Sequence, residues 1–229
     1  MSARILLAAA LSLATTGVQA GTTTPADSPG QLATRADSNL RAGELRSPDG
    51  RALEFYREAA DLAERALESD TDHARAHFLY FAARGRLLIA SGPYRNVLAL
   101  LRLRKHLERS LELDPHDADA MAARGAMLME LPGYLGGDKK EGERLLKKAV
   151  VANPVGPATR LMFARALVVN GDLLAAREEL KLVSYYACRQ WRYRVLRDAE
   201  DMLREVDAGI ARLEDEAAPP DEISMLSSR

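Results

Sequence analysis

Four arginines recur along this chain of 229 residues at near-regular intervals: Arg41, Arg84, Arg124 and Arg165, spaced 43, 40 and 41 residues apart. Guanidinium groups make forked, charge-assisted hydrogen bonds to carboxylates and phosphates. A row of them on one surface could hold an acidic peptide, a chain-terminal carboxylate or an organic acid. Each could instead pair with a nearby carboxylate, such as Glu130 or Asp119, and only order its surroundings. The sequence leaves both open. Met127, Leu128, Leu161, Val168 and Val169 fall in the same register, as the apolar lining of a groove would. Apolar residues at helical spacing are more often core.

Other chemistries find less support. His73 and His77 have the i, i+4 spacing of metal ligands, but no glutamate follows His73, so the expectation is two surface histidines and no metal. The single cysteine, Cys188, excludes an internal disulfide and any multi-cysteine cluster; it reads as a partly buried small residue. Acid pairs such as Glu178-Glu179, or Asp198 with Asp201, fall on solvated helix faces. No GxSxG, phosphate loop or dinucleotide fingerprint occurs, so neither an enzyme nor a cofactor is expected. Basic runs exist at Arg102, Arg104, Lys105, His106 and Arg109, and at Arg189, Trp191, Arg192, Tyr193, Arg194 and Arg197. With a formal charge of −1, nucleic acid is not an expected partner. Trp191 and Tyr193 are expected to pack a last helix onto the array. A partner interface is the alternative, because Trp, Tyr and Arg are enriched in binding hot spots.

These residues need helices to position them. Residues 51–69 place Leu53, Tyr56, Ala60, Ala63 and Leu67 on one stripe, and 95–113 place Leu100, Leu103, Leu107 and Leu111. Further helices are predicted over 138–152, 157–170, 172–184 and 189–215, with Asn170-Gly-Asp172 as a stop and restart. No useful run alternates with period two, so no sheet is expected. The helices repeat. Leu111-Glu-Leu-Asp-Pro115 and Val150-Val-Ala-Asn-Pro154 end two of them alike, and small residues (Ala66, Ser110, Ala149) precede the helix ends in register with Ala63, Leu107 and Leu146. Ala82-Ala-Arg-Gly85 recurs as Ala122-Ala-Arg-Gly125 and, loosely, as Phe163-Ala-Arg-Ala166. This is the tetratricopeptide pattern, lengthened by loops at 46–50, 91–95 and 131–137. The fold predicted is all-α: a right-handed solenoid of helix pairs, about four repeats, closed by a charged C-terminal capping helix. Its first helices would line a concave groove, with Arg124 and Arg165 pointing into it.

The ends read differently. Arg4, an apolar run over 5–14 and Val18-Gln-Ala20 form a signal-peptide pattern over 1–20, with cleavage expected near Ala20. The run is about half the ~20 residues needed to span a bilayer, so no membrane span is expected in the mature form. Residues 21–34 read as a flexible leader, 35–216 as the repeat domain, and 217–229 as a disordered tail after the last helix. The expected location is periplasmic or secreted.

Leu131-Pro-Gly-Tyr-Leu-Gly-Gly-Asp138, Glu143-Arg-Leu-Leu-Lys-Lys-Ala149 and Asn153-Pro154 together resemble the TatT family, tetratricopeptide components associated with TRAP transporters. The resemblance implies a non-enzymatic exported protein working beside a periplasmic solute-binding protein, with an apolar or organic-acid solute as ligand. It carries over no catalytic motif, and this chain lacks the lipid-anchoring cysteine of many members. The leading expectation is a binding scaffold for a protein or peptide partner, with Arg41, Arg84, Arg124, Arg165, Met127, Leu161, Val168 and Trp191 as its binding residues. The alternative is a TRAP-associated accessory that binds a small organic or apolar solute.

Overall fold

The computed structural model describes residues 27–46, 51–90 and 96–217. The expected signal peptide, most of the leader, the tail from 218 and the loops at 47–50 and 91–95 lie outside the described residues. Among the described residues the chain is helical throughout, with no strand. Four helix pairs follow one another: α1 (Pro29–Arg46) with α2 (Arg51–Ser69), α3 (Ala74–Ala90) with α4 (Asn96–Leu113), α5 (Ala118–Glu130) with α6 (Lys139–Ala152), and α7 (Pro157–Val169) with α8 (Leu173–Arg189). A longer α9 (Tyr193–Ala217) caps the array.

Local chemistry sets the helix starts. Ser28 and Gln31 form a reciprocal cap: the Ser28 amide donates to Gln31 Oε1 at 2.8 Å and the Gln31 amide to Ser28 Oγ at 3.3 Å, with Pro29 in the first turn. Helix α1 therefore begins at Pro29, and the leader is shorter than the expected 21–34. Leu32 and Ala33 are core residues, not leader. Asp117, Asp138 and Asp172 cap α5, α6 and α8 by accepting backbone amides. The imidazole of His73 serves α3 in the same way, accepting the Ala76 amide at 3.2 Å.

The register of small and large residues is what lets each pair close. Ala63, Ala66, Leu107, Ser110, Leu146 and Ala149 are all fully buried. In the third pair the helices approach closely: a Cβ added to Gly125 would sit 2.7 Å from Leu146 Cγ and 2.8 Å from the Gly142 carbonyl oxygen. The lengthened loop between α5 and α6 folds as a 3-10 turn over Gly133–Leu135. There Gly136 takes a left-handed φ of 87°, and a Cβ on Gly137 would fall 1.7 Å from the Leu131 carbonyl oxygen. The core runs as three adjoining clusters: α1–α4 reaching into α5, then α5–α6 with α7, then α7–α9.

Two polar ties hold the first helices in line. Arg75 of α3 reaches Asp37 of α1 at 2.7 Å, and Asp119 of α5 and its cap Asp117 at 3.0 and 3.3 Å. Burial works against its charge, but the carboxylates of Asp119, Asp37 and Asp117 outweigh that and raise its pKa. The second tie joins the ends. Glu44, near the end of α1, accepts from Arg86 of α3 at 3.0 Å and from Arg192, just before α9, at 2.7 Å. The solenoid thus curls until its first and ninth helices touch.

Candidate functional site

The curl creates a cavity of about 80 Å³ where α1, α3, α7 and α9 converge. Its wall carries Glu44, Arg86, Arg165, Arg192, Arg194 and Asp198, over an apolar base that includes Leu161, Met162 and Val195. Four guanidinium groups face two carboxylates, an excess of positive charge. Glu44 is fully engaged by Arg86 and Arg192. Asp198 is not: Arg165 and Arg194 lie 3.8 and 4.0 Å from its carboxylate, too far for hydrogen bonds. Both therefore keep donors for another acceptor. Outside the cavity lining, the Tyr56 hydroxyl is buried without a well-formed hydrogen bond, with the Arg194 guanidinium as its nearest donor. Burial raises the Tyr56 pKa, Arg86 and Arg194 pull it down, and Glu44 adds to the rise. Tyr56 comes this near α1 because Gly43 leaves room: a Cβ there would meet its ring at 2.5 Å.

The structure does not bring the arginine ladder together in this cavity. Arg165 lines it. Arg41 lies exposed on α1, its Nε donating to Asp37 one turn back at 2.7 Å. Arg84 turns to the preceding second helix, 3.3 Å from Glu64, with its guanidinium over the Tyr80 ring. Arg124 does likewise toward Glu108, at 3.5 Å, sharing it with Arg104. Desolvation and the neighbouring Arg104 lower the Arg124 pKa, with Glu108 and Glu141 opposing. Each of the four thus has a carboxylate neighbour, but not Glu130 or Asp119, and Asp119 belongs to Arg75. Met127 is buried within the α1–α5 core, Val168 packs against the α7–α9 cluster, and Leu161 does so while also lining the cavity. Leu128 is buried and Val169 exposed.

Two expectations about single residues are corrected. Cys188 is exposed, because it falls on the outer face of a longer α8 than predicted. Trp191 is 70% exposed and Tyr193 56%, so neither packs the capping helix; Val206, Ile210 and Ala199 of α9 do that. The histidines differ as well. His77 is not a bare surface residue: its Nδ1 meets His106 Nδ1 at 3.0 Å and its Nε2 meets the Thr71 carbonyl at 2.9 Å. Burial and the facing His77 depress the His106 pKa, with Glu64 opposing. Among the described residues no group of three or more His, Cys, Asp or Glu could hold a metal, and no helix is long and apolar enough to cross a membrane.

Sequence reasoning missed Arg86 and Glu44 as site residues. Arg86 directly follows the repeated Ala82-Ala-Arg-Gly85 and breaks no pattern. Glu44 is one acid among many. Only the contact between Glu44 of α1 and Arg192, just before α9 and 148 residues away in sequence, singles them out.

Comparison with solved structures places this architecture. TTC0263, described as a thermophilic TPR protein in Thermus thermophilus, superposes with a TM-score of 0.51 at 17% identity, covering 84% of this chain and 96% of that one. The fold is a tetratricopeptide solenoid. A structure of MamA (AMB-1) is a looser likeness, with a TM-score of 0.39 at 18% identity over 84% of this chain and 97% of its own. A family model described as Regulator of microtubule dynamics protein 1-3 matches residues 22–130, which take in α1 to α5 of this tetratricopeptide array. No curated protein matches the chain.

Proposed function

We propose that this chain is a non-enzymatic binding scaffold whose inner surface, at the junction of α1, α3, α7 and α9, receives an acidic segment of a protein or peptide partner. One observation carries the reading. Arg165 and Arg194 stand at the cavity wall and share Asp198 only at 3.8 and 4.0 Å, so neither makes a close hydrogen bond to it. An incoming carboxylate would give both guanidinium groups a closer acceptor, and charge-assisted pairs of this kind are the stronger hydrogen bonds. The likeness of residues 22–130 to a family named for regulating microtubule dynamics fits a role exerted on other proteins.

A small solute is the second reading, as for a TRAP-associated accessory. The cavity volume of about 80 Å³ suits a single carboxylate-bearing group better than the ~300–1,000 Å³ pockets typical of small-molecule sites. The partner reading is therefore preferred. Export after cleavage near Ala20 belongs to the proposal too, supported by a family match that starts at residue 22, just past the expected cleavage point. Export and a microtubule-related role put the chain in different compartments. Fractionation of cells expressing the tagged full chain decides between them.

The site itself is tested with a fluorescent hexaglutamate peptide and its glutamine counterpart. Anisotropy should show binding of the acidic peptide alone, weakened about tenfold or more in the Arg165→Ala/Arg194→Ala variant. Unchanged affinity in that folded variant removes the cavity from the proposal. Arg124→Ala, which lies off the cavity, should leave binding intact; if it weakens binding as much, the longer arginine row is the site.

A further inference from the structure

The turn between α8 and α9 holds a tryptophan in a backbone conformation made for glycine. Trp191 has φ +57°, the one positive φ outside glycine among the described residues. Bulky side chains are genuine outliers there, and such strain is kept where function requires it. The side chain gains no burial in return, since it is 70% exposed. Two further exposed aromatic rings belong to the helix ends that this turn joins. Tyr193 meets Trp191 edge-on at 6.0 Å, and Tyr185, 55% exposed, sits under the Arg189 guanidinium at 5.6 Å. Arg197 follows Tyr193 by one helical turn, on the same face of α9. Neither Arg189 nor Arg197 has an ion-pair partner among the described residues. The result is an exposed surface of three aromatic rings and two uncompensated positive charges, separate from the cavity.

We propose that this surface is a self-association site, in which Trp191 and its neighbours receive residues 221–226 of a second copy of the chain. That segment reads Asp-Glu-Ile-Ser-Met-Leu: two carboxylates for the two arginines, then Ile223, Met225 and Leu226 for the rings. Reach assigns it to a second copy. Helix α9 has 25 residues, about 37 Å at the usual rise, and the patch is at its start. Asp221 and Leu226 lie four and nine residues beyond its end, at most about 14 and 32 Å of extended chain. A chain cannot lay its own acid pair on its own patch. Two copies with antiparallel α9 helices place each tail beside the other's Trp191, a reciprocal arrangement that closes as a dimer.

Trp191 is the chain's sole tryptophan, so it reports on its own surroundings. The purified full chain should sediment as a dimer near about 100 µM and dissociate on dilution, with tryptophan emission moving to longer wavelength. Asp221→Lys/Glu222→Lys should raise the dimer dissociation constant about tenfold or more, so that the long-wavelength emission persists to correspondingly higher concentration. Trp191→Gly should do the same to sedimentation while melting no lower than the parent. If Trp191→Gly fails to fold, the charge-reversal variant alone decides. A monomer at all concentrations overturns the proposal, as does a dimer unmoved by charge reversal. A monomer whose patch instead captures a foreign acidic segment, lost in Trp191→Gly, also overturns the self-pairing.

Discussion

The turns on either side of α8 have the same hydrogen-bond plan and opposite side-chain choices. After α7, the Gly171 amide donates to the Val168 carbonyl at 3.0 Å and the Asp172 amide to Leu167 at 2.9 Å. After α8, the Trp191 amide donates to Cys188 at 3.3 Å and the Arg192 amide to Ala187 at 2.9 Å. Both are helix ends that reverse through one left-handed residue. The first fills that position with glycine at φ 82°, the second with tryptophan at 57°. The residue after it differs too. Asp172 turns inward to cap α8, whereas Arg192 reaches across to Glu44 on α1. The first turn reaches no further than the preceding pair, where Asn170 donates to Glu143 of α6 at 2.7 Å. The other has been given tasks at long range, and its backbone carries the strain.

Substitutions test whether strain or space governs these glycines. The largest effect is expected away from both turns, at Gly125, which has an ordinary φ but no room. Gly125→Val should destabilise by about 3 kcal/mol, read by denaturant melts, because both the Gly142 carbonyl and Leu146 stand in the way. Gly171→Trp should cost less, about 1–2 kcal/mol, since nothing lies within 4 Å of the new Cβ and only the left-handed penalty remains. Trp191→Gly should act in the other direction. Relief of about 1–2 kcal/mol of strain, less about 0.5–1 for glycine's added chain entropy, leaves a gain near 1 kcal/mol. For a chain of this length that is a rise of about 2–4 °C in Tm. A fall would mean that Trp191 is held by contacts that its exposure does not reveal.

The smallest effect concerns pH. The folded His106 pKa is depressed, so the unfolded chain binds the proton more readily. Stability from this group is fully present above the ordinary histidine pKa of about 6.5, and is lost as pH falls from there toward the folded value. His106→Asn should flatten that slope. Neither turn contains a histidine, so the stability difference between Gly171→Trp and Trp191→Gly should stay constant from about pH 5 to 7 while both proteins weaken together.

The helices and their pairing were legible because they follow from local periodicity. Leu107 with Ser110, and Leu146 with Ala149, announce a buried seam wherever the chain is read. The start of α1 was legible in principle from Ser28-Pro-Gly-Gln31, a capping pattern hidden in a stretch of loop-like composition. The site was not legible. The ladder of Arg41, Arg84, Arg124 and Arg165 is a true feature of the repeat, but identical repeat positions meet different neighbours as the array curls. Arg84 and Arg124 find carboxylates on the preceding pair, while Arg165 meets α9. The cluster at Glu44 depends on superhelical curvature, a sum of small rotations between pairs that no single motif encodes. Trp191 was visible as a residue, but its exposure was not, because the α9 stripe that packs on the core begins at Val195.

The carboxylate of Glu44 has a further consequence for how the molecule comes apart. A linear array of repeats frays from whichever terminus is weaker, each unit answering only to its neighbour. Here one side chain on the first helix is shared with the third helix and with the doorstep of the last. Loosening the cap therefore strips a partner from the opposite terminus, and native-state hydrogen exchange should find α1 and α9 opening as one cooperative unit.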